Sequence, residues 1–352
     1  MNTILKNTIE YLKLLSGRLA LFFIVPAMSI WMVLAVWFSN LPGKKFPMIA
    51  AVIISAGVLI ILAKVKNLRR AAGFIFCLFL VILSWHLLIA PSNNRNWHPM
   101  VKRLSTANFS ETADSVMIKN IRNFEYRSEH DFDARYYDMS FALDKLQGVD
   151  LIVSYWGSEA LAHTFLSFRF EKDIYLAVSI EIRPEIGESY HPIAGLFKQY
   201  EIIYVIGSER DLIRLRTNYR AEDTYLYEST ATPGQARELY VDILNRVNQL
   251  AVKPAFYGTV RKNCTTSLVK HVNKVLEDDT PFSVKLLLNG FSDELAYMKG
   301  NIRNELPFKD LKSACYISDI AKSLDSDPEF SKKIRFHIRM NIIGHKNKIS
   351  GK

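Results

Sequence analysis

Three long apolar runs open the chain. Leu19–Phe38 is twenty residues without a charge, Phe46–Ala63 is eighteen, and Ala71–Ala90 is twenty with one His. About twenty helical residues cross the roughly 30 Å hydrocarbon core of a bilayer. The pattern therefore predicts three transmembrane helices, over about 19–38, 46–63 and 71–90. Pro26 and Gly57 are tolerated inside such helices. A cleaved signal peptide is a poor account of the first run. The run is too long, no small-x-small site follows it, and two more spans come after.

Past Pro91 the apolar runs become short and the period changes. Ser92–Asn96 reads as a polar linker. Leu151–Tyr155, His163–Phe170, Ile174–Arg183, Glu201–Ile206 and Thr224–Tyr227 are rich in β-branched and aromatic residues. In Ile174–Arg183 the residues Ile174, Leu176, Val178, Ile180 and Ile182 alternate with Tyr175, Ala177, Ser179, Glu181 and Arg183, the mark of a half-buried strand. These runs predict a small, mostly antiparallel sheet. Helical spacing then takes over. Thr232-Pro233-Gly234-Gln235 is a capping box with Pro at the first helical position. Ala236, Leu239, Tyr240, Ile243, Leu244, Val247 and Leu250 follow as one stripe. A second helix begins near Asn263, with Cys264, Leu268, Val272 and Val275 on its apolar face. Further helices are predicted over Ser292–Lys299 and Pro307–Leu324. The fold class is α+β: residues 1–91 a membrane domain, 92–330 one globular domain, and 331–352 a basic tail.

Charge changes the picture in one respect. The chain has 352 residues, 49% hydrophobic, with net charge +10. The first 91 carry nine Lys or Arg and one acid, so the excess sits there and not on the globular domain. That argues against a nucleic-acid partner, which would need a basic stripe on the folded part. Lys6, Lys13, Arg18, Lys64, Lys66, Arg69 and Arg70 lie on one side of the predicted spans, and Lys44 and Lys45 on the other, joined by Arg95, Lys102 and Arg103 just after the third span. The bias puts the N-terminus in the cytoplasm and everything after the third span outside it. After Glu329 the tail has seven Lys or Arg and no acid. It reads as a solvated end, with contact to anionic lipid head groups as the sharper alternative.

No metal motif (H-E-x-x-H, C-x-x-C or paired His), P-loop or G-x-S-x-G elbow is present, so neither metal nor organic cofactor is expected. The three cysteines, Cys77, Cys264 and Cys315, cannot build a disulfide framework, although a Cys264–Cys315 bridge is conceivable outside the cytoplasm. Cys264 lies in Arg-Lys-Asn-Cys-Thr-Thr at a predicted helix start. There the unpaired N–H groups and the helix dipole favour thiolate. A buried structural thiol is the competing account. A nucleophile also needs a base. His271 is seven residues along the same helix, about 10 Å of rise away. His163, at the start of a strand, is better placed. Glu181 and Ser179, on the polar face of the next strand, are candidates to orient its ring.

Several motifs in order resemble one family. They are Asn120-Ile-Arg-Asn-Phe-Glu-Tyr-Arg, Ala162-His-Thr-Phe-Leu-Ser-Phe, Ser179-Ile-Glu-Ile-Arg-Pro-Glu-Ile-Gly-Glu-Ser-Tyr-His-Pro, Glu209-Arg-Asp-Leu-Ile-Arg-Leu-Arg-Thr-Asn and Asn263-Cys-Thr-Thr. Together they resemble the Lnb N-terminal periplasmic domain, from about Arg95 to Val275 and more weakly through Phe330-Ser-Lys-Lys-Ile-Arg. That family is similar to permuted papain-like enzymes, in which the His precedes the Cys. The resemblance implies a Cys264–His163 dyad and leaves the third member open, with Glu181 the candidate. The predicted helix start offers the backbone N–H groups of Cys264 and Thr265 as an oxyanion site. Arg183, Glu185 and Tyr190 become candidate substrate contacts. It also implies a bacterial inner-membrane protein whose periplasmic domain is a thiol acyltransferase. Such an enzyme moves an acyl chain from a membrane phospholipid, through a Cys264 thioester, to an amine such as a lipoprotein N-terminus. The family's lipoprotein acyltransferases have membrane segments after the domain, whereas this chain places its predicted spans before it. A cysteine peptidase or amidase, a lipid hydrolase and a non-enzymatic binding domain are the alternatives.

Overall fold

The computed structural model describes residues 21–39, 45–276 and 289–351. The chain divides into two units. One comprises residues 1–91 with His191–Tyr200, the other Ser92–Tyr190 with Glu201–Lys352.

The first unit is helical: α1 (Leu21–Trp37), α2 (Lys45–Lys64) and α3 (Leu68–Leu88). Among the described residues two helices, not three, are long and apolar enough to cross a membrane by length and composition: Phe46–Lys64 and Leu68–Leu88, with mean hydropathy 2.6 and 2.3. Over its described part α1 is a shorter apolar helix, and the predicted start at Leu19 lies outside the described residues. The third run begins three residues earlier than predicted. Asn67 accepts hydrogen bonds from the backbone N–H groups of Arg69 and Arg70, and so caps the helix before two charges that hydropathy alone would exclude. Met32, Val36, Val58, Ile75 and Ile82 form the core of this unit. Phe197, from His191–Tyr200, meets Trp31 at 6.0 Å.

The second unit is built on an eight-stranded sheet. Its strands are β1 (Thr106–Phe109), β2 (Ser115–Arg122), β5 (Tyr136–Ala142), β6 (Leu146–Tyr155), β7 (Ala162–Phe170), β8 (Ile174–Arg183), β9 (Glu201–Ser208) and β10 (Asp223–Glu228). The order is β1-β2-β9-β8-β7-β6-β10, with β5 on β2. Pairing is antiparallel except between β2 and β9, which meet in parallel at Arg122 and Gly207. β3 (Glu125–Tyr126) and β4 (Phe132–Asp133) make a separate ribbon. The sheet is thus larger than predicted, because alternation breaks in β2. Asn120 has φ +58°, the register shifts between Ile118 and Ile121, and the Asn120 side chain donates to Leu104 O at 3.0 Å.

Two helices position the site. α5 (Pro233–Val252) has the capping box and buries the stripe Ala236 to Leu250, with Tyr240 against Phe168 at 4.7 Å. α6 (Cys264–Leu276) contacts β7 and β8. α4 (Glu209–Arg214) runs into a π-helical turn at Leu215–Tyr219. After α7 (Ser292–Met298), the predicted helix over Pro307–Leu324 is two helices, α8 (Phe308–Ala314) and α9 (Ser318–Ser323). Between them the backbone pairs with β10: Leu226 N–H donates to Cys315 O at 3.0 Å and Ile317 N–H donates to Thr224 O at 2.9 Å. The basic end is not a solvated tail but a helix, α10 (Phe330–Ile349), that buries Phe330, Ile334, Arg335 and Ile338.

Arg335 pins that helix. Its guanidinium reaches Asp150 Oδ2 and Glu209 Oε1, each at 2.6 Å, and all three side chains are nearly inaccessible to solvent. Arg335→Met strands two buried carboxylates and is expected to cost about 3–5 kcal/mol. Thermal unfolding of the purified chain measures this, and an unchanged midpoint would contradict it.

Candidate active site

Strand register brings the first two side chains together. β7 pairs with β8 with Leu166 opposite Val178, and that register, continued, sets His163 across from Glu181. Ser179 and Glu181 are two residues apart on β8 and share a face. His163 Nε2 lies 2.7 Å from Ser179 Oγ and 3.2 Å from Glu181 Oε1, and Ser179 donates to Glu181 Oε1 at 2.6 Å. With Nε2 engaged there, Nδ1 is the ring nitrogen left for another partner.

Cys264, the first residue of α6, lines the same cavity, and its sulfur and the His163 ring each shift the other's titration. The local sequence explains the helix start. Asn263 Oδ1 accepts the Thr266 N–H at 2.7 Å, while the Asn263 N–H donates to Thr266 Oγ1 at 3.0 Å. This reciprocal cap leaves the N–H groups of Cys264 and Thr265 in the first turn, where the helix itself offers no acceptor. The sulfur also receives the Thr164 backbone N–H and the Asn289 amide, the latter at 3.4 Å, and has Thr265 Oγ1 at 3.8 Å.

The electrostatics follow from these contacts. Burial pushes the Cys264 thiol up, but the charge of His163 and the hydrogen bonds to the sulfur outweigh it, and the thiol lies below its ordinary range. Burial and the nearby Arg216 push His163 down, yet Glu181 and the sulfur pull harder, and its imidazole is raised to about 9. Burial disfavours charge on Glu181, but His163 and Arg216 hold its carboxyl well below the usual carboxylate range. Both shifts move the pair toward thiolate and imidazolium.

The chain of charges continues inward. Arg216, in the π-helical turn, donates to Glu181 Oε1 at 2.9 Å and to Glu222 Oε2 at 3.1 Å. Ser154 completes it, donating to Glu222 Oε2 at 2.7 Å. The cluster faces a cavity of about 510 Å³, with Trp156, Tyr190 and Tyr257 on its wall. Among the described residues no group of His, Cys, Asp and Glu is arranged to hold a metal ion.

The other predicted site residues separate. Tyr190 lines the cavity and packs edge-on to Trp156 at 5.8 Å. Arg183 does not line it. It is buried over the Trp97 ring and spends its donors on Val101 O, Asn93 Oδ1 and Lys102 O, so it staples the segment that leads into the unit. Glu185 is also outside the cavity wall, bridging to Trp97 and facing Arg95 at 3.7 Å. His271 is turned from the sulfur toward Asp242 and Tyr204, at 2.6 and 2.8 Å. All three cysteines are free. Cys315 lines a different cavity, with Asp150 and Arg335, so no Cys264–Cys315 bridge forms. Sequence reasoning missed Asn289 and Arg216. Arg216 lies inside one of the motifs that carried the resemblance, whereas no periodicity marks Asn289.

Residues 132–290 match the family model of the Lnb N-terminal periplasmic domain. That stretch is similar to an Lnb N-terminal periplasmic domain. The matched span holds His163, Ser179, Glu181, Arg216, Glu222, Cys264 and Asn289. It begins at 132, not near Arg95, so the motif at Asn120–Arg127 falls outside it. No curated protein and no solved structure matches the chain. An Lnb N-terminal periplasmic domain with two apolar helices of spanning length ahead of it describes a membrane-anchored protein with a periplasmic domain.

Proposed function

We propose that this protein is a thiol acyltransferase of permuted papain-like type that takes its acyl chain from a membrane phospholipid. The observation that carries the reading is Cys264 at a helix start, lining one cavity with a His163 that Ser179 and Glu181 hold, inside the stretch that matches the Lnb N-terminal domain. The thiolate attacks an ester carbonyl of the lipid. The first-turn N–H groups of Cys264 and Thr265, with the Asn289 amide, donate to the oxyanion. His163 gives its proton to the leaving alkoxide, and a lysophospholipid departs. An amine, for which a lipoprotein N-terminus is the proposed source, then attacks the thioester. His163 takes its proton, an amide forms and the thiolate returns.

An acyl chain is favoured over a peptide by a second cavity, of about 370 Å³. Thr164 and Thr265, next in sequence to His163 and Cys264, contribute to its wall with Leu166, Leu239, Leu268 and Val272. Its lining is the kind that takes hydrocarbon. The test is intact-mass analysis of the purified chain after incubation with a diacyl phospholipid. An added acyl mass that maps to Cys264 and disappears with an amine acceptor is the expected result. Fatty acid released without an acceptor would make the protein a lipid hydrolase. No adduct, together with cleavage of a peptide substrate, would make it a peptidase.

The proposed placement is an inner membrane with the N-terminus in the cytoplasm. A cytoplasmic N-terminus and a periplasmic domain require an odd number of crossings. At about 1.5 Å per residue, 17 residues of α1 span about 26 Å, enough for the third. A reporter that works only in the cytoplasm, fused after Lys352, should therefore stay inactive. A strong signal would reverse the orientation.

A further inference from the structure

The C-terminal helix α10 has two apolar faces. Phe330, Ile334 and Ile338 point into the domain. On the opposite side Phe336, Met340 and Ile343, at i, i+4 and i+7, form a second stripe that is 65, 50 and 50% exposed. Three large apolar side chains along one helix face, all turned outward, form a contiguous patch and not scattered exposure. The rest of the helix is basic. Its twenty residues hold six Lys or Arg and no acid. Lys332, Arg339 and Lys346, spaced by seven, run down one flank of the stripe, and Lys333 stands on the other. All four are exposed. Arg335 alone is turned inward. Lys332 also reaches Asp173 and Glu329, Lys333 reaches Asp327 and Glu329, and Lys346 reaches Glu305, but these carboxylates lie outside the helix, which has none of its own to neutralise the flank.

We infer that α10 is an interfacial helix. It lies in the head-group layer of a bilayer with Phe336, Met340 and Ile343 below the phosphates and Lys332, Arg339 and Lys346 among them. An apolar stripe flanked by cations is the arrangement that binds anionic lipid surfaces in the plane of the membrane. A protein partner of this chemistry would need an acidic groove around an apolar strip. A chain with apolar helices of spanning length already has a lipid surface as a neighbour. The inference does not rest on the acyl-transfer reading, since α10 contributes nothing to the Cys264 cavity.

The test uses the full chain in nanodiscs of phosphatidylcholine, with or without phosphatidylglycerol. A photoreactive benzophenone amino acid replaces Phe336 in one preparation and the exposed Ser323 in another. Illumination should join lipid to position 336 and not to 323, with a yield at least about fivefold higher when phosphatidylglycerol is present. Combining Lys332→Glu with Arg339→Glu should bring that yield down to the phosphatidylcholine level. Both side chains are exposed, and thermal unfolding of the double variant checks that it keeps its fold. Absence of lipid adducts at 336 would overturn the inference, as would equal yields with and without the charge reversal. Crosslinks from 336 to a second copy of the chain, in place of lipid, would make the stripe an interface between protomers.

Discussion

His163→Ala is expected to lower acyl-adduct formation on Cys264 by roughly 10²–10⁴-fold, the usual weight of a general acid–base group. Two contributions disappear together. The imidazolium that holds the thiol below its ordinary range is gone while burial remains, so the thiol rises and little thiolate survives at neutral pH. The proton for the leaving alkoxide is gone as well. His271→Ala should leave the adduct yield near wild type, because that ring is tied to Asp242 and Tyr204. The pH profile carries a second reading. In the native chain adduct formation should fall in acid, as the thiolate takes a proton, and again above about pH 9, as His163 loses its own. Glu181→Gln removes the charge that raises His163 and leaves Arg216 facing the ring, so the alkaline limb should move to lower pH. Adduct yields from both single variants measure the outcome. A dead His271 variant with an active His163 variant would remove the dyad from the mechanism.

The two buried cysteines of the sheet unit should differ in reactivity by orders of magnitude. Burial pushes the Cys315 thiol up to about 12, and Asp150 and Asp293 add to the effect. At pH 7 such a thiol is thiolate in only about one molecule in 10⁵. Cys264 is equally enclosed, yet its thiol is lowered, because an imidazolium, a backbone N–H and an amide face the sulfur. A small alkylating reagent should therefore label Cys264 at least about a hundredfold faster than Cys315 in native protein at neutral pH. Peptide mapping of the labelled chain reads both sites at once. Equal slow rates would mean that Cys264 is a structural thiol and that the proposed chemistry is wrong. Labelling of Cys264 should also extend to lower pH than that of an ordinary thiol.

Local signals in the sequence were informative where one element settles the outcome alone. The apolar runs near the N-terminus, the α5 stripe with its Thr232–Gln235 cap, and strand β8 each follow from a period that one segment carries by itself. The start of α6 at Cys264 belongs with them, because Asn263 caps it from the next position. The family followed from the order of short motifs, and the His-before-Cys order needs only the one-dimensional chain. Other features depended on which segments meet. β2 escaped notice because the bulge at Asn120 breaks its alternation, and the bulge is stabilised by Leu104 and Asp138 from elsewhere. Arg183 and Glu185 sit in the same motif as Tyr190, yet only Tyr190 lines the cavity. Arg183 shares the face of β8 that carries Glu181, yet its guanidinium is drawn to carbonyls of a segment some eighty residues away. Arg216 reaches Glu181 through a π-helical turn that has no sequence period of its own, and Asn289 comes to the sulfur from the far side of α6. From sequence the basic end reads as a solvated tail, with lipid contact the sharper alternative; only the packing of Ile334 and Ile338 fixes which face of α10 turns inward. Periodicity records what a segment prefers. The pKa of Cys264 and the outward face of α10 are set by groups distant in sequence, and burial and register, which bring those groups close, exist only once the sheet has formed.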